Sequence, residues 1–362
     1  MEKKRPIGFW RSFTDTGNMT HEEYLSRINK ITLFIAAAFI ISLFVFVVIA
    51  LIGGLSKVIG IILSANPLIY LGAFVLVLLG YLLRFLKWNY YLKKLGIHVP
   101  LKKNLVTYLS LYSMNITPGK FGRVIVAYTL NRITNNKLTS TLPVVTFDIF
   151  TDFLGIGILA LITALYFKTY VIYVLIIDMV LMLPYLFILN NRFYNFIKPK
   201  MMKSRFFLRF TAYGDEYFAF QSKLNTPKTY LVSIATSLPA ALFNAMALYL
   251  CLVAVGVFPN LMNSVFIQTS SNVLGMATGS PGNIGVTDGT LLALLRGIMG
   301  LSVAKSSAVT IMERIATLWF GVALGGVFLF YSMRYWKENL PKENKRRRGK
   351  WKGRKKNNKF RK

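Results

Sequence analysis

Ser280-Pro281-Gly282-Asn283-Ile284-Gly285-Val286-Thr287-Asp288-Gly289 interrupts an apolar region at a point where no continuous helix survives. Proline removes a backbone donor, and the glycines raise the entropic cost of helix. At bilayer depth such non-helical backbone is tolerated only where protein or a water-filled cavity satisfies its amides. A second break of the same kind stands upstream, at Thr117-Pro118-Gly119-Lys120-Phe121-Gly122-Arg123. Each is followed by a long apolar stretch carrying acid. The two read as copies of one unit, and a substrate site is expected where they meet.

The rest of the chain agrees with a membrane setting. Of 362 residues, 54% are hydrophobic and only 16% charged, against roughly 25% charged in a soluble domain. Mean hydropathy is +0.50. The expected class is an all-α, polytopic helical membrane protein. A single cysteine, Cys251, excludes a disulfide framework and a cysteine metal site. His21 and His98 lie outside the apolar runs, which argues against a histidine metal centre or a His-dependent triad. There is no nucleotide-binding Gly-rich loop, no His-Glu-x-x-His and no paired acidic motif of a sugar transferase. No metal or cofactor is expected.

The net charge is +31, and 15 of the 44 Lys and Arg fall in residues 334–362. In a membrane protein such a tail reads as a disordered cytosolic segment drawn to anionic lipid headgroups, not as a nucleic-acid site.

Residues 1–30 are polar, carry both signs of charge and read as a cytosolic segment. Residues 31–52 form an uncharged run long enough to span a core of about 30 Å. Residues 67–86 form the next span, with Arg84 and Lys87 at its far end, positioned to snorkel to the headgroups. Residues 105–116 and 121–130 are too short to cross singly, so the pair is either one broken span or a hairpin. Residues 138–167 and 170–189 are further spans. The connection 190–228 holds eight basic residues against Asp215 and Glu216. Cytosolic loops carry the Lys/Arg excess. All basic loops fall inside only if the first pair is a re-entrant hairpin. Residues 229–258 span again, residues 263–278 and 288–299 make a second hairpin from the outside, and residues 303–333 return to the cytosol. The expectation is six full spans, two re-entrant hairpins and both termini cytoplasmic at the cell membrane.

The halves align. Pro118, Gly119 and Gly122 match Pro281, Gly282 and Gly285. Val144-Val145-Thr146-Phe147-Asp148 ends 30 residues after Pro118 (148 − 118), and Val309-Thr310-Ile311-Met312-Glu313 ends 32 after Pro281 (313 − 281). With hairpins opening to opposite sides, repeat units of about 105–167 and 263–333 form an inverted-topology repeat within a transmembrane domain over 31–333. Such repeats place binding sites near the midplane.

These motifs resemble the transmembrane region of the lysylphosphatidylglycerol synthetases, a flippase-like family, over roughly residues 30–333. The family's first half reads Pro-Gly-Arg-x-Gly-Glu and then Glu-Arg-x-x-Asp. Pro118, Gly119, Lys120 and Gly122 fit the first, with Lys for Arg, and Asp148 and Asp152 fit the acids of the second. Arg123 and Ile149 depart from it. The family's second half reads Pro-x-Gly-Gly-Leu-Gly-x-x-Glu, which Pro281, Gly282, Ile284, Gly285 and Asp288 fit conservatively, followed by an Arg-bearing helix that Glu313-Arg314 fits. The resemblance implies movement of a lipid or lipid-linked group between leaflets. The synthetases carry an aminoacyl-transferase domain after this region. None follows residue 333 here, so aminoacyl transfer is not implied.

Charge inside a membrane costs roughly 3 kcal/mol or more, so retained charges need a reason. Asp148 and Asp152, four apart on one helix face, cannot comfortably both ionise in low dielectric. That predicts either a proton-carrying pair or one neutralised by Arg314 or Arg123. Lys120 and Arg123 at a helix start suit a phosphate. Asp288 at the matching start suits an N-cap. The functional expectation is a lipid translocase using alternating access, with Lys120, Arg123, Asp148, Asp152, Glu313 and Arg314 lining its path. The alternatives are an intramembrane transferase acting on a phospho-lipid, with Asp148 or Glu313 as base, and a non-transporting scaffold.

Overall fold

The computed structural model describes residues 21–134, 136–168, 170–202 and 208–338. The first 20 residues and the basic tail beyond Glu338 lie outside them, so the expected tail–headgroup interaction does too. The described residues are mostly helical and include no strand.

Two helices, α1 (His21–Gly53) and α2 (Leu55–Ser64), precede the repeat. Unit one consists of α3 (Pro67–Lys94), a broken hairpin with arms α4 (Leu101–Leu109) and α5 (Val124–Thr134), and α6 (Leu138–Phe167). A connection follows through α7 (Val171–Leu189), α8 (Asn191–Met202) and α9 (Leu208–Leu224). Unit two consists of α10 (Pro227–Ala254), a hairpin with arms α11 (Leu261–Ala277) and α12 (Val286–Met299), and the pair α13 (Val303–Arg314) and α14 (Phe320–Glu338). Five of the expected spans are long and apolar enough to cross a bilayer. In the sixth, α7, the apolar stretch Val171–Leu183 is shorter.

The repeat begins earlier than the alignment of the breaks indicates. Both α3 and α10 are 28 residues long with proline in the first turn. Pro fits there because that N–H has no helical partner and its φ is already helical. Asn66 caps α3 by accepting from Leu68 N and Ile69 N at 3.0 and 3.2 Å. Both helices stop at a left-handed glycine, Gly96 (φ 74°) and Gly256 (φ 75°), the usual helix-ending conformation. The residue after each glycine, Ile97 or Val257, bonds back to Leu92 O or Leu252 O at 2.9 Å. The unit is therefore helix, broken hairpin, helix. α3 and α10 form the most extensive helix pair of the molecule.

Each break repeats the same backbone. Gly119 and Lys120 take φ/ψ of 57/15° and 59/20°. Gly282 takes 60/12° and Asn283 a φ of 56°. A left-handed glycine followed by a left-handed L-residue turns the chain sharply, and an L-residue there costs about 1–2 kcal/mol. The arms α11 and α12 pack along each other, as do α4 and α5. The two tips meet: Gly119 N donates to Gly279 O at 3.1 Å, and Ile116 and Ile284 share an apolar cluster with Leu318 and Val322. Each hairpin is clasped by the last helix of the other unit, the first by α14 and the second by α6. The first clasp is backbone on side-chain-free backbone, since a Cβ on Gly325 would sit 2.2 Å from Ser113 N.

Between α13 and α14 the chain makes a π-helical turn, Ile315–Trp319. Such turns leave carbonyls free of the regular ladder and recur at functional sites. Here Thr317 O accepts from Tyr81 Oη at 3.1 Å.

Candidate functional site

The charged residues of the first unit condense into one buried cluster. α3 contributes Arg84 and Lys87, and α6 contributes Asp148, Thr151 and Asp152. Lys87 is fully buried. Its ammonium donates to Asp152 Oδ1 (2.8 Å), Thr151 Oγ1 (3.0 Å), Ser237 Oγ (3.0 Å) and Asp148 O (3.3 Å). It also lies 3.2 Å from Asp148 Oδ1, an ion pair without hydrogen-bond alignment. Arg84 Nε donates to Asp152 Oδ1 at 3.1 Å. From the hairpin, Arg123 reaches Asp148 Oδ2 at 3.4 Å and holds Asn115 Oδ1 through Nε and a terminal nitrogen at 3.0 and 2.7 Å.

Arg84 and Lys87 therefore do not snorkel to a headgroup layer. The helix expected to end near residue 86 continues to Lys94 and carries both side chains into the protein. Sequence reasoning missed them as site residues. Their signal was present: the spacing of three that puts them on one face, inside a helix bounded by Asn66-Pro67 and Gly96. The face-sharing of Asp148 and Asp152 holds, and Lys87 bridges them. Arg123, one of the two arginines expected at the pair, reaches Asp148 only; Asp152 is met by Arg84 and Lys87, and Arg314 does not take part.

Arg314 works in the second unit. Its Nε donates to Asp288 Oδ1 at 3.0 Å and a terminal nitrogen donates to Gly282 O at 2.8 Å. The N-cap of α12 is Gly285, not Asp288 as its position suggested; Asp288 stands three residues into the helix and accepts from Gly285 N through Oδ2 at 2.7 Å. It is an ion-pair partner as well. Glu313, fully buried, forms none of the described ion pairs. Its Oε1 accepts from Gln268 Nε2 (2.7 Å) and Thr317 Oγ1 (2.8 Å).

Between the hairpin tips lies a cavity of about 120 Å³, bordered by both units. Its charged lining is Arg84, Lys120, Arg123 and Arg314 against one carboxylate, Asp152. Lys120, held in its left-handed conformation at the first tip, has no carboxylate partner among the described residues. The neutral lining is rich in amides: Asn115, Asn244, Gln268, Asn272 and Asn283. Guanidinium and ammonium groups in excess, in low dielectric, form strong charge-assisted bonds to an anion. Amides add donors and acceptors for hydroxyls. Asp148 and Glu313, expected to line the path, stand one layer behind it. Among the described residues no cluster of metal-ligating side chains occurs.

The fold and the cavity define a multi-pass helical membrane protein with a cationic site between two broken hairpins. The family model described as lysylphosphatidylglycerol synthase TM region matches residues 34–325, and the chain belongs to that family. Among curated proteins, none matches the chain.

Proposed function

We propose that this protein moves a lipid, or a lipid-linked group, with an anionic phosphate headgroup between the leaflets of the cell membrane. One observation carries the reading: the cavity between the hairpin tips presents four cations to one carboxylate. A phosphate offsets that excess, and the acyl chains can remain in the bilayer beside it. Lys120 and Arg123 take the phosphate directly. Arg84 and Arg314 supply field while anchored to Asp152 and Asp288. Alternating access comes from one unit rocking against the other about the tips, whose shared contact is a single backbone hydrogen bond and a small apolar cluster. Both termini lie on the cytoplasmic side, where the basic tail meets anionic headgroups. The transferase alternative is less well supported, because Asp148 is held by Lys87 and Arg123 and neither it nor Glu313 lines the cavity.

The test uses purified protein in liposomes bearing a fluorescent anionic phospholipid, with label in the outer leaflet bleached by an impermeant reductant. Protein-containing vesicles are expected to expose inner-leaflet label far faster than empty ones. Arg123→Gln removes a charge-assisted bond of about 1.5–3 kcal/mol, so its rate falls roughly tenfold or more. Equal rates in protein-containing and empty vesicles overturn the reading.

A further inference from the structure

Among the described residues two buried carboxylates, Asp178 and Glu313, form none of the ion pairs, and Glu313 is the one bonded to a residue of the cavity wall. Its hydrogen-bond partners are neutral. Oε1 has two donors, and Oε2 has none although the side chain is fully buried. The amide opposite it, Gln268, is 2% exposed. Its Nε2 is spent on Glu313 Oε1, and its own Oε1 is unpartnered. Two buried acceptors are thus left open on the two groups already joined by one hydrogen bond. An orphaned buried acceptor costs about 1–3 kcal/mol, and a buried unpaired carboxylate more.

One proton resolves both. A carboxylic acid and a primary amide pair through two parallel bonds, amide N–H to carboxyl C=O and carboxyl O–H to amide C=O. The first is present. The second is the bond a hydrogen on Glu313 Oε2 would make by donating to the open Gln268 Oε1.

We infer that Glu313 and Gln268 form a buried proton-binding site beside the anion cavity. The titratable groups facing it do not replace the proton. Arg314, next in sequence, is turned to Asp288 and Gly282 O. Tyr70 of α3 donates to Met312 O at 2.9 Å, and Cys251 of α10 is a buried thiol. Asp288 of α12 is an acid already paired. The described side chains of α1 packed on α13 bring no charge, and α2 brings only the exposed Lys57.

Ser306 and Thr310 precede Glu313 on α13 at one-turn spacings, and Ser264 precedes Gln268 on α11, with Ser271 following it. All four hydroxyls are buried and unpartnered, so the pair sits among polar but uncharged side chains.

Gln268 and Thr317 border both Glu313 and the cavity. An ionised Glu313 opposes an anion there, and a protonated one does not. Proton and headgroup therefore favour each other's binding, which makes the proton the coupling ion. This coupling rests on the translocation reading, whereas the proton's presence does not.

Infrared difference spectra of the purified full-length protein at neutral pH test the site without any lipid movement. Wild type minus Glu313→Gln is expected to show the carbonyl band of a protonated carboxylic acid, shifting in heavy water. Asp148→Asn leaves that band in place. A difference containing only carboxylate bands overturns the inference. Should Glu313→Gln fail to fold, Gln268→Leu decides: loss of the acceptor shifts the acid band to higher frequency. A band that Gln268→Leu does not move overturns the site. If the band is found while vesicles show no lipid movement, the proton site stands and the translocation reading falls.

Discussion

The two hairpins share a backbone and divide the chemistry. Both turn on a left-handed glycine followed by a left-handed residue, and both arise from a 28-residue helix that starts at proline and stops at glycine. At the first tip the second left-handed residue is Lys120, at the other Asn283. Behind the first stand three cations and two carboxylates in one network. Behind the second stand a single arginine–aspartate pair and an acid held only by an amide and a hydroxyl. Backbone geometry is what a repeat must keep for the tips to meet. Charge is free to diverge, provided each half satisfies its own buried groups. In the proposed reading the first half holds most of the anion's charge partners, and the second adds Arg314 and the acid Glu313.

The largest effect that tests this division is on Lys87. Lys87→Met removes the cation that bridges Asp148 and Asp152, breaking two buried ion pairs at once and leaving each acid a single arginine, a loss of about 3–5 kcal/mol. It is expected to lower the unfolding midpoint in detergent sharply, and a second change, Asp148→Asn, recovers part of it. Arg314→Met, in the simpler half, costs less, since Asp288 keeps its bond from Gly285 N. Equal losses would mean that the halves are energetically equivalent and break the comparison.

Next comes the clasp between units. Gly325→Ala pushes a methyl against Ser113 N, and overpacking of this kind costs about 1–3 kcal/mol. Gly289→Ala on α12, where a Cβ meets nothing within 4 Å, is expected to leave the midpoint unchanged or slightly raised. Thermal unfolding of the pair reads the difference.

The smallest effect sharpens the contrast between the tips. Lys120→Gly relieves a left-handed lysine and raises stability by about 1 kcal/mol, while slowing lipid movement in vesicles several-fold. Asn283→Gly yields a smaller gain, because asparagine tolerates this conformation better, and it leaves the cation count of the cavity intact. A Lys120→Gly protein that is both more stable and equally active would detach Lys120 from the anion site.

Much of this was legible in the sequence. Hydropathy and length determine that the chain lives in a membrane, because burying that many apolar residues has few other solutions. The two Pro-Gly breaks follow from the covalent character of proline and glycine, which acts locally whatever the surroundings. The spacing of Asp148 and Asp152 puts them on one face for the same reason, and Asp288 reads as an acceptor for the amides at its helix start from its position alone. What the sequence could not decide was partnership. Lys87 at a helix end reads as a snorkelling cation until α6 is seen packed within reach. Arg314 turns to Asp288 and leaves Glu313 to Gln268, and nothing in residue order chooses between those acids. Ion pairs and cavities depend on distances between segments far apart in the chain. Only the packing of α3 on α10, and of each hairpin under the other unit's last helix, sets those distances.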